Sequence, residues 1–171
     1  DSEEFKTGKV SIQDEASQMV ACLVEPQVGD SILDMCAAPG TKAIQMAQMM
    51  NNTGRIVCLD IHEHRVELIK KGVEKHGISI IEAKCMDATK CHELDETFDK
   101  VVLDAPCSGL GVLGQKPDLK LRIQPENLDE IVALQKQLLD TAAMVCKENG
   151  VLVYSTCTLN KKENEKQIES F

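Results

Sequence analysis

The chain has 171 residues, 43% of them hydrophobic, enough for a single domain with a sizeable core. Its formal charge of -9 excludes a wholly basic nucleic-acid surface, and only Phe5, Phe98, Tyr154 and Phe171 are available to stack on bases. No apolar stretch is long enough to span a bilayer and the acidic start, Asp1-Ser-Glu-Glu, is no export signal, so a soluble, cytoplasmic protein is expected.

Taken in chain order, Met19, Val20, Cys22 and Leu23 recur at helical spacing behind Gln13-Asp14, which predicts an amphipathic helix ending before Pro26. Ser31 to Met35 reads as a first strand. The loop Cys36-Ala-Ala-Pro-Gly-Thr-Lys42 follows it, then a helix over 43–50. Small residues between a strand and a helix N-terminus make an anion-friendly cradle, because the first helical amides point outward. With Gly40 as its only glycine the loop is a poor dinucleotide fingerprint.

Arg55 to Asp60 is the second strand, ending in an acid placed either to hold ribose hydroxyls or to cap the helix expected over 63–75. Ser79 to Cys85 predicts a third strand with Asp87 behind it, and 92–99 reads as a polar connection. The fourth strand covers 100–103 and stops at Asp104-Ala-Pro-Cys-Ser-Gly109, since Pro106 cannot donate to a sheet ladder. A carboxylate and a thiol on one turn suit proton handling beside a nucleophile. Alone, the Pro-Cys pair reads as a small buried cysteine.

The next loop carries Lys116, Lys120 and Arg122. Asn127 is placed to cap a helix whose apolar stripe runs through Leu128, Ile131, Leu134, Leu138, Ala142 and Val145 and which ends at Asn149-Gly150. Val151 to Ser155 is the fifth strand. Thr156-Cys157-Thr158 comes straight after it, and a further helix starts over 163–171.

The eight cysteines stand at 22, 36, 58, 85, 91, 107, 146 and 157, with no Cys-x-x-Cys pair, and read as reduced thiols. Cys85, Cys91 and His92 match no zinc spacing, so no metal is expected.

Strands alternating with helices predict an α/β, doubly wound, mostly parallel sheet whose carboxyl ends share one rim. That rim collects the 36–42 loop, Asp60, Asp87, Asp104 with Cys107, and Cys157, a pattern of a cofactor-binding enzyme.

Four segments in this order, Gln13-Asp14-x-x-Ser17, Asp34-Met-Cys-Ala-Ala-Pro-Gly-Thr-Lys42, Asp104-Ala-Pro-Cys-Ser-Gly109 and Ser155-Thr-Cys-Thr158 with Glu163-Asn164-Glu165, closely resemble the Fmu/Sun (RsmB) family of RNA cytosine C5-methyltransferases. The resemblance implies a Rossmann-like methyltransferase fold with S-adenosylmethionine in the rim crevice. It places Cys36, Ala37, Ala38, Pro39, Gly40, Thr41 and Lys42 at the cofactor's methionine end, Asp60 on its ribose and Asp87 at its adenine edge. Asp104 stands between cofactor and base.

By the same resemblance the Cys157 thiolate adds to cytosine C6 and Cys107 assists loss of the C5 proton and release of the enzyme. Asp104 holds a protonated N3, while Lys42 orients the base or lowers a thiol pKa. The implied partner is RNA, ribosomal RNA first, with the base drawn out of its stack. Departures are Thr41 where the family often has a second glycine, and Leu121 where it has an aromatic residue in the Pro-Asp-x-Lys segment.

The resemblance also implies that residues 1–171 are a methyltransferase core without an N-terminal RNA-binding domain and two closing strands. Two other readings stay open. One is a DNA-type cytosine methyltransferase using Cys107, which leaves Cys157 without a role. The other is a cofactor-binding or RNA-assembly module whose site is vestigial.

Overall fold

The computed structural model describes residues 2–112, 114 and 125–171. Its strands are β1 (Ser31–Asp34), β2 (Arg55–Asp60), β3 (Ile81–Cys85), β4 (Phe98–Asp104) and β5 (Cys146–Ser155). Its helices are α1 (Glu3–Lys6), α2 (Glu15–Val24), α3 (Thr41–Met49), α4 (Glu63–Lys75), α5 (Pro125–Val145) and α6 (Glu165–Ser170). The strands form one sheet of order β3-β2-β1-β4-β5 in which every pairing is parallel, the doubly wound arrangement expected from the alternation of elements.

Successive strand residues point to opposite faces, and the core divides accordingly. Ile32, Ile56, Cys58 and Val102 pack under α2, α3 and α4 against Val24, Met46 and Ile69. Leu33, Val57, Leu59, Val101 and Leu103 face α5, where Leu138, Leu139, Ala142 and Val145 meet them. A sheet buried on both sides explains why its strands read as continuous apolar runs rather than alternating ones.

Several boundaries differ from expectation. β4 begins at Phe98, two residues early, because the Phe98 ring is fully buried in the α5-facing core; it is therefore not available to stack on a base. A 3-10 helix over Ala88–Leu94, capped by Asp87, runs into the start of the expected polar connection. The helix expected behind an Asn127 cap starts instead at Pro125, whose fixed φ and missing N–H suit the first turn. It stops at Val145, and the chain runs directly into β5 through an irregular pairing around Asn149 (φ 64) and Gly150. A Cβ on Gly150 would sit 2.8 Å from the Lys147 carbonyl oxygen, so only glycine fits that bend.

Leu134 leaves the expected core stripe and faces the rim cavity described below. Lys116, Lys120, Leu121 and Arg122 lie outside the described residues. Among the described residues no helix is long and apolar enough to cross a membrane.

Candidate active site

The strand order reverses between β1 and β4, and in open α/β sheets ligands bind where it reverses, at the strands' carboxyl ends. There the rim holds a cavity of about 400 Å³. On one side it is lined by Cys36 and Ala38 after β1, Asp60 and Arg65 after β2, and Asp87 after β3. On the other side are Asp104, Pro106 and Cys107 after β4, Cys157 after β5, and Leu134 and Leu138 of α5.

The first side is held by local backbone geometry. Gly40 takes φ 98 at the N-cap of α3, and a Cβ there would press to 3.1 Å from Ile69 Cγ2, so the loop lies tight against α4. Ala37 is buried beneath the loop, Pro39 is exposed, and Thr41 and Lys42 form the first turn of α3. Asp60 Oδ1 accepts the His62 N–H at 3.0 Å and Oδ2 pairs with Arg65 at 3.3 Å. His62, not Asp60, occupies the N-cap of α4, so Asp60 braces the entry to the helix while lining the cavity. Asp87 accepts from the Thr89 N–H and hydroxyl at 3.0 and 2.7 Å.

The second side is joined across the sheet. Asp104 Oδ2 accepts from Lys42 Nζ at 2.6 Å and Oδ1 from Ser155 Oγ at 2.8 Å, so the carboxylate is fixed from α3 and from β5. Parallel register sets Asp104 opposite Ser155, and the Ala105 N–H continues the ladder to the Ser155 carbonyl at 2.8 Å. Two residues further along each strand, Cys107 and Cys157 bring their sulfurs to 3.0 Å, and the Cys157 N–H donates to Cys107 Sγ at 3.3 Å. The four residues expected to carry chemistry, Lys42, Asp104, Cys107 and Cys157, thus form one cluster.

The thiols differ in character. Burial, then the nearby Asp34, Asp60 and Asp104 carboxylates, push the Cys36 thiol up to about 12, which keeps it protonated and inert. The hydrogen bond with Cys157, reinforced by burial, raises the Cys107 thiol far above its ordinary value. Cys157 is exposed at the cavity wall.

Sequence reasoning gave no role to the groups beneath the cysteines. Glu163, fully buried, accepts from the Ser108 N–H (2.8 Å) and hydroxyl (2.6 Å), from Asn160 Nδ2 (3.0 Å) and from Gln135 Nε2 (3.2 Å). Ser108 Oγ also meets Thr158 Oγ1 at 2.8 Å. Burial works against the Glu163 charge, but these donors outweigh it and hold the carboxyl below its ordinary range. The sequence signals are that each cysteine is followed by a hydroxyl residue and that Glu163 opens the Glu163-Asn164-Glu165 part of the fourth family segment, without a role attached to it. Asp34 opens the 34–42 segment and has no role assigned from sequence either. It is 1% exposed, neither oxygen has a partner of ordinary hydrogen-bond geometry among the described residues, and burial pushes it to about 7 against the pull of Lys42.

A family model described as 16S rRNA methyltransferase RsmB/F matches residues 21–171. The probable ribosomal RNA small subunit methyltransferase B of Bacillus subtilis (strain 168) is 43% identical over 169 residues, 98% of this chain and 38% of that protein. The tRNA (cytosine(72)-C(5))-methyltransferase NSUN6 of Homo sapiens is 38% identical over 170 residues, 92% of this chain and 36% of that protein. The crystal structure of NSun6 from Pyrococcus horikoshii with SFG superposes with a TM-score of 0.92 at 33% identity, over 98% of this chain and 43% of that one. The chain spans less than half the length of these relatives. With the parallel sheet, the rim cavity and the paired cysteines, these matches show that the chain belongs to the RsmB/F family of methyltransferases.

Proposed function

We propose that this chain is the catalytic core of an S-adenosylmethionine-dependent enzyme that methylates C5 of a cytidine in RNA, ribosomal RNA first, in the cytoplasm. The observation that carries the reading is the meeting of two cysteines from different strand ends, 3.0 Å apart, at a cavity that Asp104 also lines. Membership of a family described by rRNA methylation supports the substrate class, and the likeness to NSUN6 makes transfer RNA the substrate to test against it.

The cavity suits the cofactor by the chemistry of its walls. Asp60 and Asp87 offer acceptors for ribose hydroxyls and an adenine edge, the Cys36–Ala38 backbone lies close, and a cationic sulfonium is favoured by the carboxylates at the rim. S-adenosylmethionine supplies an electrophilic methyl group there.

Cytosine C5 is too weak a nucleophile to take a methyl group unaided. In our reading Cys157, the exposed member of the pair, adds through sulfur to C6, which makes C5 electron-rich. Asp104 holds N3 protonated during the addition, and Lys42, 2.6 Å from Asp104, fixes the carboxylate for that task. Once C5 carries the methyl group, loss of the C5 proton restores the double bond and expels the Cys157 sulfur. Cys107 stands 3.0 Å from that sulfur, and in our reading its thiolate form takes up the C5 proton, which frees Cys157 as the leaving group.

The test is a denaturing gel of the protein incubated with ribosomal or transfer RNA and S-adenosylmethionine. The expected result is a protein-RNA band that accumulates in Cys107→Ala and is absent in Cys157→Ala. A band that survives loss of Cys157 but not of Cys107 means a DNA-type arrangement, and no band in any lane means another acceptor or a vestigial site.

A further inference from the structure

We propose that Glu163 is a positioning residue for both cysteines, its buried carboxylate tying the residue after Cys107 to the residue after Cys157 and so setting the spacing of the two thiols. The proposal rests on the two-cysteine reading above.

The contacts flank Cys107 on both sides and Cys157 at its own carbonyl and at the residue after it. Before Cys107, the Pro106 carbonyl accepts from Gln135 Nε2 at 2.9 Å, and the same amide nitrogen donates to Glu163. After Cys107, the Ser108 N–H and hydroxyl both donate to Glu163. After Cys157, Thr158 Oγ1 meets Ser108 Oγ at 2.8 Å and Glu163 Oε1 at 3.4 Å, and the Cys157 carbonyl accepts the Gly111 N–H at 3.0 Å. A Cβ at Gly111 would lie 2.9 Å from that carbonyl oxygen, so the approach is as close as glycine permits. Glu163 is itself fixed through its own carbonyl, which accepts from the Tyr154 hydroxyl at 2.7 Å.

A fold needing only a filled space here has cheaper solutions, because apolar residues of similar volume commonly replace buried ionic groups without loss of stability. A buried carboxylate surrounded by donors from both cysteine loops instead specifies one geometry. The proposed chemistry needs that geometry: one sulfur must reach C6 while the other group serves the neighbouring C5, and displacement of reacting groups by about 1 Å can cost about 100-fold in rate.

The experiment uses Glu163→Gln, which keeps the shape but turns one acceptor oxygen into a donor amide facing donors, and Ser108→Ala, which removes the hydroxyl link while leaving the Ser108 N–H bond to Glu163. Two quantities are read beside thermal melting and S-adenosylmethionine binding: steady-state methyl transfer to RNA, and the rate at which dibromobimane bridges Cys107 to Cys157, followed by peptide mapping. In both variants kcat should fall by about 100-fold while KM for RNA changes by less than about threefold. Bridging should slow by about tenfold in protein that still binds S-adenosylmethionine.

Bridging and kcat within about twofold of wild type in Ser108→Ala would overturn the proposal, whatever happened to its melting temperature, and would leave Glu163 a strut of the fold. Should Glu163→Gln not fold, Ser108→Ala alone decides. Failure of the methyltransferase reading is separate and shows in the wild type, as absence of both methyl transfer and the covalent band.

Discussion

Two carboxylates in the two halves of this molecule are closed off from solvent, Asp34 at the end of β1 and Glu163 before α6, at 1% and 0% exposure. Burial pushes the first to about 7, whereas the second stays below the ordinary carboxylate range. Asp34 is the more densely surrounded by protein, and the donors each can reach differ as well. Asp34 has only the charge of Lys42 and a weak interaction with the Cys36 amide to set against desolvation. Glu163 has Ser108, Asn160 and Gln135. Solvent exposure alone does not decide ionisation; the density of protein around a group and the hydrogen bonds to its charged form decide it together.

The contrast can be broken from either end. The largest effect belongs to Glu163→Ala, which leaves the Ser108 N–H buried without an acceptor, takes one acceptor from Ser108 Oγ, Gln135 and Asn160, and should cost about 4 kcal/mol in urea denaturation at pH 7. Asp34→Asn should act in the opposite direction. A folded-state value of about 7 against an ordinary 3.8 means that the native state binds the proton more tightly than the unfolded chain. Stability therefore falls as pH rises from about 4 to about 7 and is level above that. Removing the charge should stabilise the protein by about 2 to 3 kcal/mol at pH 8, less than the full shift implies because the new amide is also unpartnered, with the gain vanishing near pH 4.

Lys42→Met sharpens the same point. Without that cation the Asp34 midpoint should rise by about one further pH unit, read by carboxyl ¹³C NMR, and a midpoint that falls would refute the assignment of causes. The smallest effect is expected for Tyr154→Phe, which removes the hydroxyl bonded to the Glu163 carbonyl and should cost about 1 kcal/mol in the same urea experiment.

The two halves also differ in how much of them could be read from sequence. The expected span of α4, 63–75, and the order of strands and helices survive because apolar periodicity and turn residues are local signals. The placement of the 36–42 loop, Asp60 and Asp87 rests on contacts two or three residues away, such as Asp60 to His62 and Asp87 to Thr89. The cysteine motifs placed Cys107 and Cys157 on one rim, but nothing local links Ser108 to Glu163, 55 residues apart. Phe98 was misread for a related reason: a lone ring between polar residues gives no periodicity, and its burial depends on α5.

The parallel pairing of β4 with β5 has a consequence for the order in which the site comes into being. The two sulfurs are 50 residues apart in the chain, and they meet only after the crossover through α5 has closed and β5 has docked in register. Such non-local closure is among the slower steps of folding. A nascent chain that has emerged through β4 but not through Glu163 keeps the two thiols apart, so the pair comes into being only when β5 is seated.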